Sequence, residues 1–256
     1  MKSKEYLLTS GKRTIKAWLY FPEKKGLSPV VIICHGIPGG KPLPGDMGYV
    51  PLAELLADNG FISVVFNFSG CGESSGNIDL NLWHEDLVKI YDLVSELPGS
   101  DNAAINIIGF SAGGAIAARF AALEKKNIRS LMLMATPADL SQIIPEDKEL
   151  MASHFRELGL IRDPMSPDDI NKWYYGFTSL KAENFIRWLP QDVPLCIIHG
   201  NSDTVVPVSH ADRIYKAAPH FPQKIILEGA PHQLRKDNRV KGIILEWLKK
   251  QKILYA

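Results

Sequence analysis

Short runs in which nearly every position is apolar alternate along this chain with longer stretches whose apolar residues recur every three or four positions. After Pro29, Val30-Val31-Ile32-Ile33-Cys34 is apolar throughout, as a strand buried on both faces must be. The runs Phe61–Phe68, Ala104–Ile108, Leu131–Ala135, Leu195–Ile198 and Lys224–Leu227 predict further strands. Between the first two, Leu52, Leu55 and Leu56 mark a helix ended by Asn59-Gly60. Trp83, Leu87, Ile90, Tyr91, Val94 and Leu97 then keep helical spacing up to Pro98, and Ala115–Leu123, Ser209–Ala218 and Arg239–Lys252 predict three more helices. Near the start, Glu5–Thr9 and Arg13–Tyr20 flank Ser10-Gly11-Lys12 and predict an opening hairpin. Strand and helix in alternation imply right-handed crossovers. The fold class is therefore α/β, a mostly parallel twisted sheet with helices on both faces.

The stretch 139–190 breaks this rhythm, separating two strands that a short crossover could join. It carries helical patterns of its own over Leu150–Leu158, Pro167–Tyr175 and Leu180–Trp188. It also follows the carboxyl edge of the sheet, where open α/β sheets hold their ligands. We expect a small helical cap inserted between strands 6 and 7, on a core formed by 1–138 and 191–256. Most of its aromatics (Phe155, Trp173, Tyr174, Tyr175, Phe177, Phe185, Trp188) should form the cap's own core, with two or three also facing substrate.

Composition narrows the function classes. A chain of 256 residues with 46% hydrophobic content can bury one substantial core. Its 29 basic and 28 acidic residues leave a net charge of +1, and no basic cluster is dense enough to track phosphates. Nucleic acid is thus not an expected partner, and Lys24-Lys25, Lys125-Lys126 and Lys249-Lys250 read as solvated surface. Met1 to Tyr6 lacks the apolar core of a secretion signal. The apolar stretch Ala103–Leu123 is interrupted by Asn106, Ser111, Arg119 and glycines, so no membrane association is expected either. The 3 cysteines show no metal-ligand spacing. Cys34 and Cys196 read as core thiols within strands, and Cys71 sits in a Gly-rich loop where a redox or catalytic role is the weaker reading. A reducing, cytoplasmic setting fits them.

The chemistry concentrates in Gly109-Phe110-Ser111-Ala112-Gly113, between the strand Ala104–Ile108 and the helix at Ala115–Leu123. A glycine-flanked serine on a sharp strand-to-helix turn exposes its hydroxyl, whereas the bland alternative is a tightly packed Gly/Ser turn. A serine hydroxyl needs a base to take its proton and a third group to orient that base. Asp203 lies in the loop after the strand ending at His199, and His232 in the loop after the strand ending near Leu227. Taken singly, Asp203 reads equally as a turn or cap residue and His232 as surface filler. Together, at the carboxyl ends of successive strands, they make a catalytic reading with Ser111. The other histidines fit worse: His84 and His154 lie in helices, His220 among prolines and His210 at a helix start, while His35 and His199 shape loops. An oxyanion needs preorganised N–H donors. Ala112 supplies one, directly after the nucleophile. The loop His35-Gly36-Ile37-Pro38-Gly39-Gly40 supplies the other; Pro38 has no N–H, which leaves Ile37.

Those motifs, with His199-Gly200-Asn201-Ser202-Asp203-Thr204-Val205-Val206-Pro207 and Gly229-Ala230-Pro231-His232, span nearly the whole chain in one order. By them the chain resembles the α/β-hydrolase superfamily, in its esterase and serine-aminopeptidase-like group that includes small bacterial cinnamoyl and feruloyl esterases. The resemblance implies an α/β-hydrolase fold, Ser111, Asp203 and His232 as catalytic residues, and Ile37 and Ala112 as the oxyanion hole. One motif departs. Where that family often carries Arg-Gly-x-Gly-x-Ser, this chain reads Ser69-Gly70-Cys71-Gly72-Glu73-Ser74, so whatever the arginine anchors is held differently here.

The leading functional expectation is a serine esterase cleaving small carboxylic esters through an acyl-enzyme, with no metal and no cofactor. An aminopeptidase or amidase on the same residues is the nearest competitor, and Glu157, Asp163, Asp168, Asp169 and Glu183 are its candidate holders of a substrate amino terminus. A non-catalytic binding protein on this scaffold would be expected to lack one of Ser111, Asp203 and His232. The preferred acyl group and the oligomeric state are not encoded in any motif.

Overall fold

The computed structural model describes residues 2–23, 26–40 and 44–253; Met1 and the Lys24-Lys25 pair lie outside them. Its strands are β1 (Lys2–Ser10), β2 (Arg13–Phe21), β3 (Ser28–Cys34), β4 (Ile62–Phe66), β5 (Ser100–Phe110), β6 (Ser130–Met134), β7 (Leu195–Gly200) and β8 (Gln223–Leu227). They form one sheet in the order β1-β2-β4-β3-β5-β6-β7-β8. Pairing is antiparallel from β1 through β2 to β4 and parallel from β4 to β8. The hairpin therefore caps one edge of a parallel sheet.

The helices are α1 (Val50–Asp58), α2 (Leu80–Ser95), α3 (Ala112–Leu123), α4 (Lys148–Glu157), α5 (Pro167–Thr178), α6 (Ala182–Ile186), α7 (Ser209–Ala217) and α8 (Asn238–Ile253). Their starts follow local chemistry. Asp79 accepts the Asn81 N–H at 2.9 Å to begin α2, and Ser166 with Asp169 closes a reciprocal capping box on α5. Alternate strand residues serve opposite layers. Val30, Ile32 and Cys34 pack with Trp83, Leu87 and Phe120 under α2 and α3, while Val31 and Ile33 pack with Leu52, Leu56, Ile244 and Leu248 under α1 and α8.

The chain leaves β3 toward β4 on one side and later returns to β5 on the other, so the strand order reverses at β3. The crevice beyond the carboxyl ends of β3 and β5 is then the place this topology offers a ligand. Between β6 and β7 run a 3-10 turn (Leu140–Gln142) and α4, α5 and α6. Phe155, Trp173 and Phe177 meet there with ring centroids 4.9 to 5.7 Å apart. They do not form a separate core, because the same cluster runs on into Ile78, Trp83 and α3.

At the end of β3, buried His35 is wedged edge-on against Phe68 and Trp83. Its Nδ1 donates to Gly36 O (2.6 Å) and its Nε2 accepts the Phe68 N–H (3.0 Å), an assignment fixed by the backbone partners. That pattern requires a neutral ring, and burial pushes its pKa down to about 4. The unfolded chain takes up a proton near pH 6.5 that the folded one refuses. His35 thus contributes stability that is complete above pH 6.5 and fades toward pH 4, by up to about 3 kcal/mol. Buried Asp86, pushed up to about 6 by burial, acts in the opposite sense over the same range. The measurement is therefore a difference: in denaturant titrations at pH 7 and pH 4.5, wild type should lose more stability than His35→Gln. Equal losses would refute the assignment.

Candidate active site

Ser111 sits between β5 and α3 at φ 52° and ψ −127°, a backbone that costs a non-glycine residue about 1–3 kcal/mol. Two contacts hold it there. The Ser111 N–H donates to Met134 O on β6 (2.8 Å), and α3 is pressed against the end of β3 so closely that a Cβ on Gly113 would stand 2.2 Å from the His35 carbonyl oxygen. Glycine at 113 is what allows that approach. The loop after β3 comes equally near: a Cβ on Gly36 would lie 2.8 Å from Ser111 Cβ.

His232 and Asp203 arrive from the ends of β8 and β7. Ser111 Oγ is 3.0 Å from His232 Nε2, and His232 Nδ1 is 2.7 Å from Asp203 Oδ2. The three residues, 121 and 29 positions apart in successive pairs, form one hydrogen-bonded line. Its inner end is dry, since the Asp203 side chain is fully buried while His232 keeps 19% exposure toward the crevice. Asp203 Oδ1 accepts the N–H groups of Val205 (2.9 Å) and Val206 (2.8 Å). Burial by itself pushes the Asp203 carboxyl up, but donors from His199, His232 and Val206 outweigh it and hold the group well below the usual carboxylate range. A carboxylate fixed in this way orients the imidazole with Nδ1 as donor, leaving Nε2 to accept from Ser111.

The N–H groups of Ile37 and Ala112 have no backbone acceptor among the described residues, and Ala112 opens α3, where helix N–H groups lack internal partners. Ala112 directly follows Ser111, and Ile37 follows Gly36, the residue whose added Cβ would meet Ser111. The hydrogen-bonded line places a proton acceptor, His232 Nε2, 3.0 Å from the Ser111 hydroxyl oxygen. Among the described residues, no group of three or more His, Cys, Asp or Glu is placed to hold a metal ion, and no helix is long and apolar enough to cross a membrane.

Several contributors were not singled out in the sequence. His199, read there as loop-shaping, reaches Asp203. Arg235 grips Asp46 through two hydrogen bonds (2.8 and 2.6 Å), tying the His232 loop to the segment before α1. The cavity beside that pair, about 390 Å³, is lined by residues such as Tyr49, Leu52 and Lys241 and by none of Ser111, Asp203 and His232. In the loop where arginine is missing, Ser69 is fully buried and its N–H donates to Asp86 (2.7 Å). Two arginines from elsewhere brace this region. Arg162, between α4 and α5, donates to Ser74 O (2.7 Å) and Gly72 O (2.9 Å), and Arg13 of β2 reaches Asp86 at 3.5 Å. Cys71 in the same loop is buried, and burial raises its thiol far above the reactive range. That removes the redox role weighed for it.

A model of the alpha/beta hydrolase fold matches residues 29–171. The chain is 24% identical over 231 residues to the uncharacterized protein YfhR of Escherichia coli O157:H7, covering 88% of this chain and 71% of that protein. It is 26% identical over 210 residues to the mitochondrial palmitoyl-protein thioesterase ABHD10 of Mus musculus, covering 77% and 67%. Among solved structures, Est1E from Butyrivibrio proteoclasticus with ferulic acid bound superimposes with a TM-score of 0.72 at 21% identity, over 97% of this chain and 98% of that one. A thermostable carboxyl esterase from Bacillus coagulans gives 0.72 at 19% identity, over 98% and 99%. At these identities the structural likeness shows a shared architecture.

Proposed function

The chain belongs to the alpha/beta hydrolase fold family, and on that footing we propose that it is a serine hydrolase cleaving small carboxylic esters through an acyl-enzyme. One observation carries the reading: the hydrogen-bonded line from Asp203 through His232 to Ser111. His232 Nε2 takes the Ser111 proton as Oγ attacks the acyl carbon, and the oxygen that becomes negative is received by the N–H groups of Ile37 and Ala112. Each such donor is worth about a hundred- to a thousandfold. His232 then gives the proton to the departing alcohol. A water deprotonated by the same nitrogen releases the acid and restores Ser111. Asp203 stays ionised throughout and stabilises the imidazolium.

We further propose that 139–190 acts as a cap on a core of 1–138 and 191–256. In support, Trp173 Nε1 donates to Ile78 O (2.7 Å) and Arg162 braces the 72–74 loop, so the insert lies against a loop at the carboxyl edge of β4. Of the insert's acids that an aminopeptidase reading would use, Asp169 closes the α5 capping box and Glu183 holds Arg213 through two hydrogen bonds (2.9 and 2.6 Å), so these two already have partners within the chain.

The test combines labelling with a substrate panel. A fluorophosphonate probe should label the folded protein at Ser111, and labelling should vanish after heat denaturation. Short, long and hydroxycinnamoyl esters, an S-acyl thioester and aminoacyl anilides would then be compared, with ester turnover expected. Turnover of the anilides alone would replace this reading with the peptidase one, and a folded protein that resists the probe would end it.

A further inference from the structure

Ester hydrolysis by Ser111, His232 and Asp203 leaves one neighbouring histidine without a task. His199 is the last residue but one of β7, four residues before Asp203, and is fully buried. Its Nε2 stands 2.9 Å from Val206 O and 3.3 Å from Asp203 Oδ2. Neither oxygen can donate, so Nε2 must carry a proton shared between them. Nδ1 is buried with no partner, which fits the neutral ring protonated at Nε2 only. Asp203 Oδ2 therefore sits between two imidazoles, with His232 on its solvent side and His199 on its core side. Oδ1 is occupied by the Val205 and Val206 N–H groups, so the carboxylate is clamped at both oxygens.

We propose that His199 is a positioning residue for this reaction: its Nε2–H fixes the Asp203 carboxylate in the plane that meets His232, and through Val206 O it locks the loop carrying that carboxylate. The inference rests on the ester-hydrolase reading above. A packing role would be served by any side chain of similar size, whereas this role needs a donor at one point in space. Glutamine places its amide nitrogen as many bonds from Cα as Nε2 of histidine; asparagine falls short of that point, and leucine fills space without a donor.

The experiment compares His199→Gln, His199→Asn and His199→Leu with wild type on a short activated ester, with thermal melts alongside and Ser111→Ala as the control. His199→Leu should lower kcat by about 10- to 100-fold at nearly unchanged KM, the scale on which small misplacements of a catalytic group act. His199→Gln should stay within about threefold of wild type. If the leucine variant does not fold, the Gln and Asn pair carries the comparison, with Asn low and Gln restored. Equal activity of Gln and Asn, or a folded Leu variant with wild-type kcat, would overturn the proposal. Should Ser111→Ala be inactive while these variants remain fully active, only this inference fails. Should Ser111→Ala retain wild-type turnover, the hydrolase reading falls and takes this inference with it.

Discussion

Ser111→Ala is expected to lower kcat by about four to six orders of magnitude while leaving the fold intact. The Ser111 hydroxyl has His232 Nε2 as its hydrogen-bond partner, so under the proposed mechanism its removal deletes the attacking atom and little else. Alanine meets the same backbone restriction at φ 52° as serine, and the N–H bond to Met134 O is retained. Stability should thus change by less than about 1 kcal/mol, as for most substitutions that neither open a cavity nor strand a polar group. His232→Ala should cost a comparable amount. The double variant should be no worse than either single one, because the proposed nucleophile and base would act as a unit. Steady-state rates on a hydroxycinnamoyl or short-chain ester, with a melt to verify folding, decide the matter. A Ser111→Ala protein keeping a tenth of wild-type turnover would rule out the serine as nucleophile.

The second large effect belongs to Asp203→Asn, for which a loss of about three to four orders of magnitude is expected. The geometry dictates how the amide must sit. Oδ1 accepts two backbone N–H groups, so the amide oxygen takes that place and the NH2 group falls where Oδ2 now lies. There it faces His232 Nδ1 at the present 2.7 Å and His199 Nε2 at 3.3 Å. A donor opposite Nδ1 forces the His232 proton onto Nε2, and a protonated Nε2 cannot accept from Ser111. The side chain changes by one group and the proposed base is switched off by its tautomer. The same NH2 also opposes the Nε2–H of His199, so the variant should melt below wild type. Reacting it with the fluorophosphonate probe would separate the effects: folded protein labelled far more slowly than wild type is the expected result, and wild-type labelling would contradict it.

Much of this architecture is written in local pattern. Val30–Cys34 announces a strand buried on both faces, and β3 is buried along its whole length. The strand-to-helix switch at Ser111 and the two loops bearing Asp203 and His232 follow from apolar runs and turn residues. What escaped depends on pairing across the chain. β5 begins at Ser100 instead of near Ala104, because Ser100 and Asp101 pair with Ser28 and Pro29 across an irregularity in the ladder. Nothing polar in 100–103 signals that. β4 is shorter than Phe61–Phe68 suggests: it ends at Phe66, and Phe68 N–H goes to a histidine side chain and not to a neighbouring strand. Arg162 reaches the loop that lacks the family's arginine, and Arg13 the Asp86 carboxylate that this loop donates to, only because the 139–190 stretch and the hairpin fold back to it, a contact 88 positions apart in sequence for Arg162 and Ser74. His199 did leave a local trace, a histidine closing an apolar strand four residues before an aspartate, but its partner was legible only in three dimensions.

The buried thiols bear on how turnover can be watched. Cys34 and Cys196 point to opposite layers of the sheet and Cys71 lies beneath its loop, all three sealed from solvent. Burial pushes the Cys196 thiol up to about 12 and the other two higher still. A disulfide dye that reddens or yellows on meeting a free sulfhydryl consequently finds no exposed thiol in the native protein. Colour that develops during cleavage of an S-acyl compound then counts product molecules one for one, and a sudden rise in a blank marks the moment the polypeptide opens.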